Sequence, residues 1–199
     1  MILIGLTGNI ATGKSAAAQM FRERGAGIID ADVIAREVVD VGTDAWKEIV
    51  SEFGESILDS DGRIDRKKLG NLVFNDEDKR KKLNRIVHPR IRERIGELIS
   101  ALEAENRQAA VIEAALIIEN GGWLYDAVDH IVVVTTDPGI QVGRLIERDG
   151  YTEEEALSRI NSQMPAAEKL SHADYVIDNS GSLTETARQV EEIWRNIIG

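Results

Sequence analysis

The chain reads as an α/β protein built on a parallel sheet, and three observations predict that class. Short apolar runs alternate with stretches of helical periodicity. The first apolar run leads into Gly8-Asn-Ile-Ala-Thr-Gly-Lys-Ser15, a glycine-rich loop of the form Gly-x-x-x-x-Gly-Lys-Ser that opens onto a helix-like stretch. The 199 residues contain no cysteine, so packing alone has to hold the core, which a chain of this length can do.

In chain order, strands are expected at residues 2–6, 27–29, 110–116, 130–135 and 174–177, where aliphatic residues run together between turn signals. Helices are expected from Lys14, over 138–148 with Pro138 at its first position, over 153–163 and over 183–198. The last two are announced by capping boxes, Thr152 with Glu155 and Ser182 with Glu185. Residues 33–107 carry helical pattern over a span too long for one crossover, which predicts an inserted helical subdomain. Residues 142–170, charged and helical between two strands, predict a second and smaller insertion. No internal repeat or low-complexity segment interrupts this plan.

The glycine-rich loop predicts a nucleotide. Successive backbone N–H groups of residues 8–16 can cradle a triphosphate, Lys14 can neutralise its β and γ oxygens, and the Ser15 hydroxyl can ligate Mg²⁺. Net charge is −11, yet twelve of the 24 basic residues lie between Arg63 and Arg94 beside only five acids. That segment is +7 and the remainder −18, which favours a small phosphorylated ligand over long nucleic acid. Part of the segment, from Asp76 to Lys82, also reads as acids and then bases on a solvated helix face. His88, His130 and His172 are too scattered to suggest a metal cluster, and no run approaches the length of a membrane span. A cytoplasmic protein, monomeric or weakly self-associating, is expected.

Ligands in open α/β sheets sit beyond the carboxyl ends of the strands. The second expected strand ends in Asp30-Ala-Asp32, two carboxylates that can share a face there, one orienting while the other accepts a hydroxyl proton; helix capping is the alternative. Glu113 falls in the third strand, where burying a carboxylate is costly unless it is paired or near a cation.

These residues resemble the dephospho-coenzyme A kinase family. The loop, Asp30-Ala-Asp32 with Ala35-Arg36, Ile64-Asp65-Arg66 with Leu69 and Val73-Phe74, and His88-Pro89 with Ile91-Arg92 follow its order. So do Gln141 with Arg144-Leu145 and Arg148-Asp149, Arg159 with Gln163-Met164, and Ala173-Asp174 with Val176-Ile177-Asp178-Asn179. The resemblance covers nearly the whole chain, and Asp-Ala-Asp and His-Pro-x-Ile-Arg are more specific than the loop. It implies a three-layer P-loop kinase core with sheet order 2-3-1-4-5, a helical coenzyme-A-binding subdomain and a small helical lid. It also implies ATP-dependent phosphorylation of the ribose 3′-hydroxyl of dephospho-coenzyme A. The implied division is a nucleotide-binding core at 1–35, 106–140 and 171–199, the subdomain at 36–105 and the lid at 141–170.

Roles follow from the resemblance and the loop together. Gly8, Asn9, Ile10, Ala11, Thr12, Gly13, Lys14, Ser15, Ala16 and Arg144 would hold ATP, with Mg²⁺ on Ser15. Asp32 would accept the hydroxyl proton beside Asp30, and Arg36, Arg66, His88 and Arg92 would hold the acceptor. Arg148, with Arg144 and Arg159, would close over the transferring phosphoryl group. The chain departs from the family pattern at Asn9 and Ala11, where glycines are common, at Ala16 for threonine, at Ala115 for proline and at Gly143 for lysine. Asparagine tolerates positive φ, so Asn9 is the mild case. Another small-molecule kinase, for a nucleoside, nucleotide or shikimate-like acceptor, is the nearest alternative. A GTPase lacks support because no Asn-Lys-x-Asp element is present, and Asp59 to Asp65 fails as a calcium loop because Ile57 and Lys68 fall on ligand positions.

Overall fold

The computed structural model describes every residue from Met1 to Gly199 except Asn75. Its sheet has five parallel strands, β1 (Ile2–Thr7), β2 (Gly27–Asp30), β3 (Ala109–Glu113), β4 (His130–Thr135) and β5 (Tyr175–Asp178). Their order is β2-β3-β1-β4-β5, the order implied by the family resemblance. Parallel strands buried on both faces read as continuous apolar runs, and β3 is buried at every position.

The connections supply helices α1 (Lys14–Glu23), α2 (Ala31–Glu37), α3 (Asp44–Phe53), α4 (Arg66–Phe74), α5 (Glu77–Ala104), α6 (Ile117–Asn120), α7 (Gly122–Ala127), α8 (Pro138–Asp149), α9 (Glu153–Asn161), α10 (Ala166–Leu170) and α11 (Leu183–Ile198). Both expected capping boxes form, at the starts of α9 and α11. Residues Thr186, Val190, Ile193 and Ile197 put one apolar stripe of α11 into the core. There α11 meets α1, with the Phe21 and Trp194 rings 6.3 Å apart and tilted. Truncating the fully buried Phe21 to alanine would cost about 3–5 kcal/mol.

The chain forms two compact units, Met1–Asp30 with Ser100–Gly199, and Ala31–Ile99. The first contains the whole sheet. The second has its own small core of Ile49, Ile57 and Leu69, edged by Phe53, Ile64, Leu83 and Val87. Within it, Leu58 and Ile64 bridge a tight turn whose Gly62 carbonyl accepts the Trp46 indole N–H at 3.0 Å. Among the described residues, no helix is long and apolar enough to cross a membrane.

Two expectations need correction. The third strand stops at Glu113 instead of Leu116, because β1 runs out of register partners at Leu6 and the ladder closes with Ala114 N–H on Leu6 O. The apolar run continues as the single turn α6, which buries Ile117 and Ile118 and leaves Leu116 exposed. Asp30-Ala-Asp32 is likewise not one strand tip. Asp30 pairs in register with Glu113, and past it the chain coils at once, so Asp32 lies in the first turn of α2. A carboxylate there is favoured by the helix dipole.

Candidate active site

The glycine-rich loop joins β1 to α1 and is held by side chains that bond its outward carbonyls. Gly8 and Gly13 have φ of 154° and 95°. A Cβ on Gly8 would sit 2.3 Å from the Val134 carbonyl oxygen, and one on Gly13 would sit 2.1 Å from the Asn179 amide nitrogen. Neither position accepts a side chain. Ala11 is the third residue of the loop with positive φ, at 59°, whereas Asn9 is not in that region. The conformational demand therefore falls on Ala11, and the amide of Asn9 instead donates to Met164 O at 3.0 Å.

Four other side chains lock the loop. Asn179 Nδ2 donates to Thr12 O at 2.8 Å while its Oδ1 accepts from the Thr186 hydroxyl at 2.9 Å. Arg144 donates to Ala11 O, Thr12 O and Asn179 O at 3.0–3.3 Å. Gln141 Nε2 donates to Ile10 O at 2.6 Å, and Gln163 Oε1 accepts from Ile10 N–H at 2.7 Å. Gln141, Gln163 and Asn179 belong to the motifs that carry the family resemblance, yet sequence reasoning assigned them no role. Their signal was position, at the carboxyl ends of β4 and β5 and at the close of the helical segment after α9.

At the helix end of the loop, Lys14 Nζ donates to Gly8 O at 3.1 Å, which uses one of its three N–H donors. Ser15 Oγ donates to Glu113 Oε1 at 3.0 Å. Glu113 is 8% exposed, a buried carboxylate that accepts this hydroxyl. Because the serine proton goes to Glu113, the Ser15 oxygen keeps its lone pairs for a cation. The carboxylate and hydroxyl together form a hard oxygen pair of the kind Mg²⁺ or Mn²⁺ takes, with waters and phosphates completing the shell. Among the described residues, no group of three or more His, Asp or Glu side chains is placed to hold a metal ion.

The expected lid residues differ in what they touch. Arg148 lies on the α8 face that carries Gln141 and Arg144, one turn farther along. It pairs in bidentate fashion with Asp149, at 2.9 and 2.7 Å. That hydrogen bonding holds the Asp149 carboxyl below its ordinary range and raises Arg148. Arg159 stacks over the Tyr151 ring, 4.3 Å from its centroid. Of the three arginines, Arg144 alone bonds the loop backbone.

In the second unit, Arg36, Arg66, His88 and Arg92 are exposed. Much of the basic segment around them is engaged with acids, Lys79 with Asp76, Lys81 with Glu77, Lys82 with Glu52, Arg90 with Glu48 and Arg94 with Glu97. For Lys79 and Lys81 the solvated helix face is the better description.

Comparison with known proteins extends the site to the chain as a whole. The dephospho-CoA kinase family profile matches residues 2–185. A Bacillus cereus (strain ATCC 10987 / NRS 248) protein named dephospho-CoA kinase is 47% identical over 195 residues, 98% of this chain and 96% of that one. A crystal structure of TT1252 from Thermus thermophilus superposes with TM-score 0.84 at 33% identity, covering 100% of this chain and 98% of the other. Dephospho-CoA kinase from Campylobacter jejuni gives TM-score 0.68 at 31% identity, covering 98% and 96%. These matches take in the helical unit as well as the loop, and a phosphate loop by itself would not produce them; the chain belongs to the dephospho-CoA kinase family.

Proposed function

We propose that the protein transfers the γ-phosphoryl group of ATP to the ribose 3′-hydroxyl of dephospho-CoA, giving CoA and ADP, the final step of CoA synthesis. The observation that carries this reading is the Ser15–Glu113 pair at the head of a locked phosphate loop, in a chain of this family. In this scheme 1–35, 106–140 and 171–199 form the nucleotide-binding core, 36–105 the CoA-binding subdomain and 141–170 the lid. The reaction takes place in the cytoplasm, without nucleic acid, on a monomer or weak homo-oligomer.

Backbone N–H groups of residues 8–16 take the phosphates, and Lys14 exchanges its Gly8 contact for the β and γ oxygens. Arg144 keeps the loop in shape from behind and borders the nucleotide. Ser15 and Glu113 would hold Mg²⁺, which would supply neutralisation of the phosphate charge. The acceptor is held by Arg36, Arg66, His88 and Arg92. Its 3′ oxygen forms the new bond to the γ phosphorus while the bond to the β–γ bridging oxygen breaks. Asp32 takes the hydroxyl proton and Asp30 orients it. Arg148, released from Asp149, bonds the equatorial oxygens, where charge is spread and a guanidinium fork fits.

The test is ADP release with dephospho-CoA, adenosine, AMP and shikimate offered separately with Mg·ATP. Turnover confined to dephospho-CoA, with the product phosphorylated at the 3′ position by ³¹P NMR, is expected. Faster turnover of another acceptor would replace this reading with that of a different small-molecule kinase.

A further inference from the structure

Lys169 is 1% exposed, the most deeply buried charged side chain of the described residues. It sits on α10, a helix of five residues that ends the segment after α9. Its Nζ lies 2.7 Å from Glu119 Oε1 and donates to Ala115 O at 3.0 Å. The same carbonyl accepts from the Thr7 hydroxyl at 3.1 Å, and Thr7 is fully buried. Stability alone gives a poor account of this arrangement, because apolar residues of equal volume serve a buried site as well as or better than an ion pair.

The position of the shared carbonyl suggests another purpose. Ala115 lies two residues beyond Glu113, whose carboxylate accepts the Ser15 proton. Thr7 adjoins Gly8, whose carbonyl accepts from Lys14. Glu119 lies on α6, so Lys169 grips the turn after β3 at two points while Ser15 grips it at Glu113. Glu113 is the last residue of its strand, and the direction of its side chain depends on where the following turn is pinned.

We propose that Lys169 is a positioning residue for the divalent-cation site: it fixes the turn after β3 so that Glu113 stays aimed at Ser15, and thereby ties the end of the lid segment to metal binding. This rests on Ser15 and Glu113 being the residues that hold the cation. Outer partners of metal-site residues typically change metal affinity by about 10–100-fold.

The experiment titrates Mn²⁺ into the full-length protein with saturating ADP, reading bound metal by EPR. ADP binding is measured separately in excess chelator. Ser15→Ala and Glu113→Gln check the site, and loss of Mn²⁺ affinity in both is expected. If both bind Mn²⁺ as wild type does, the cation site lies elsewhere and the proposal falls with it. Given that loss, Lys169→Met and the double variant Lys169→Met with Glu119→Gln, which leaves no lone buried charge, should weaken Mn²⁺ by about 10-fold. Chelator-condition ADP affinity should stay unchanged. Folded variants with wild-type Mn²⁺ affinity would make Lys169 a packing residue and overturn the proposal while leaving the Ser15–Glu113 site intact. If neither Lys169 variant folds, Thr7→Val decides. It removes a second donor to Ala115 O, and a smaller loss of Mn²⁺ affinity supports the proposal where no loss refutes it.

Discussion

The two compact units present their candidate phosphate-binding groups in opposite ways. All the buried polar side chains found among the described residues, Thr7, Asn9, Thr12, Glu113, Thr136, Gln141, Lys169, Asn179 and Thr186, belong to the unit that contains the sheet. Most of them bond the glycine-rich loop or the strand ends beside it. In the helical unit the candidate ligand groups are exposed, and ion pairs around them are worth little each. A site fixed in advance spends no free energy on reorganisation when charge develops in a transition state. Exposed cations on flexible stems bind, but with less control of geometry. The sheet unit should therefore govern turnover, and the helical unit should govern acceptor affinity.

Lys14 gives the largest effect expected from this division. Lys14→Ala removes the cation proposed to meet the β and γ oxygens while leaving the bonds from Asn179, Arg144 and Gln141 intact. It should lose roughly 10³-fold in kcat and keep its fold by circular dichroism. Near-normal turnover would break the link between the locked loop and catalysis. Asp32 is the residue that blurs the boundary, since it belongs by packing to the helical unit but follows Asp30 of the sheet by only two residues. As a general base in a loose phosphoryl transfer, Asp32→Asn should lower kcat by roughly 10²-fold with the KM for ATP little changed. A variant that fails to bind ATP would make Asp32 a structural or cation-linked residue.

A smaller effect is expected in the exposed unit. Removing one charge-assisted contact from Arg66 or Arg92 should raise the KM for dephospho-CoA by about 10-fold, with kcat and the KM for ATP near wild type. The split between the two constants is the readout. If the KM for ATP moves instead, the helical unit serves the donor, and the contrast between the units is wrong.

What the sequence made legible follows the same division. The loop was readable because its glycines answer a local demand, positive φ and close approach to Val134 and Asn179, that any chain must meet with the same residue type. The strand order came with the family resemblance, and the apolar runs gave the class. The lock behind the loop showed only in the placing of its residues, because Gln141, Gln163 and Asn179 reach Ile10 and Thr12 across 131 to 167 residues of sequence, and a lone amide carries no periodicity. The burial of Lys169 could not be read either, since a five-residue helix leaves no pattern that would show it. The end of β3 was missed for a related reason. An apolar run says that a segment is buried, and only the length of its neighbours says where the pairing stops.

The smallest effect tests whether contacts or local stiffness hold the loop. Ala11 sits at φ 59°, a conformation that costs an alanine about 1 kcal/mol or slightly more. Ala11→Gly removes that strain but frees the unfolded chain, at a cost of about 0.4–1 kcal/mol. The two terms nearly cancel, so Tm should change by less than about 2 °C. Amide exchange decides the mechanism. If Arg144, on the carbonyls of Ala11 and Thr12, and Gln163, on the N–H of Ile10, hold the loop, protection at residues 10–13 should survive the substitution. Loss of protection there with an unchanged Tm would mean that the stiffness of Ala11 keeps the loop in place, and the buried polar side chains around it would then be packing with hydrogen bonds instead of a lock.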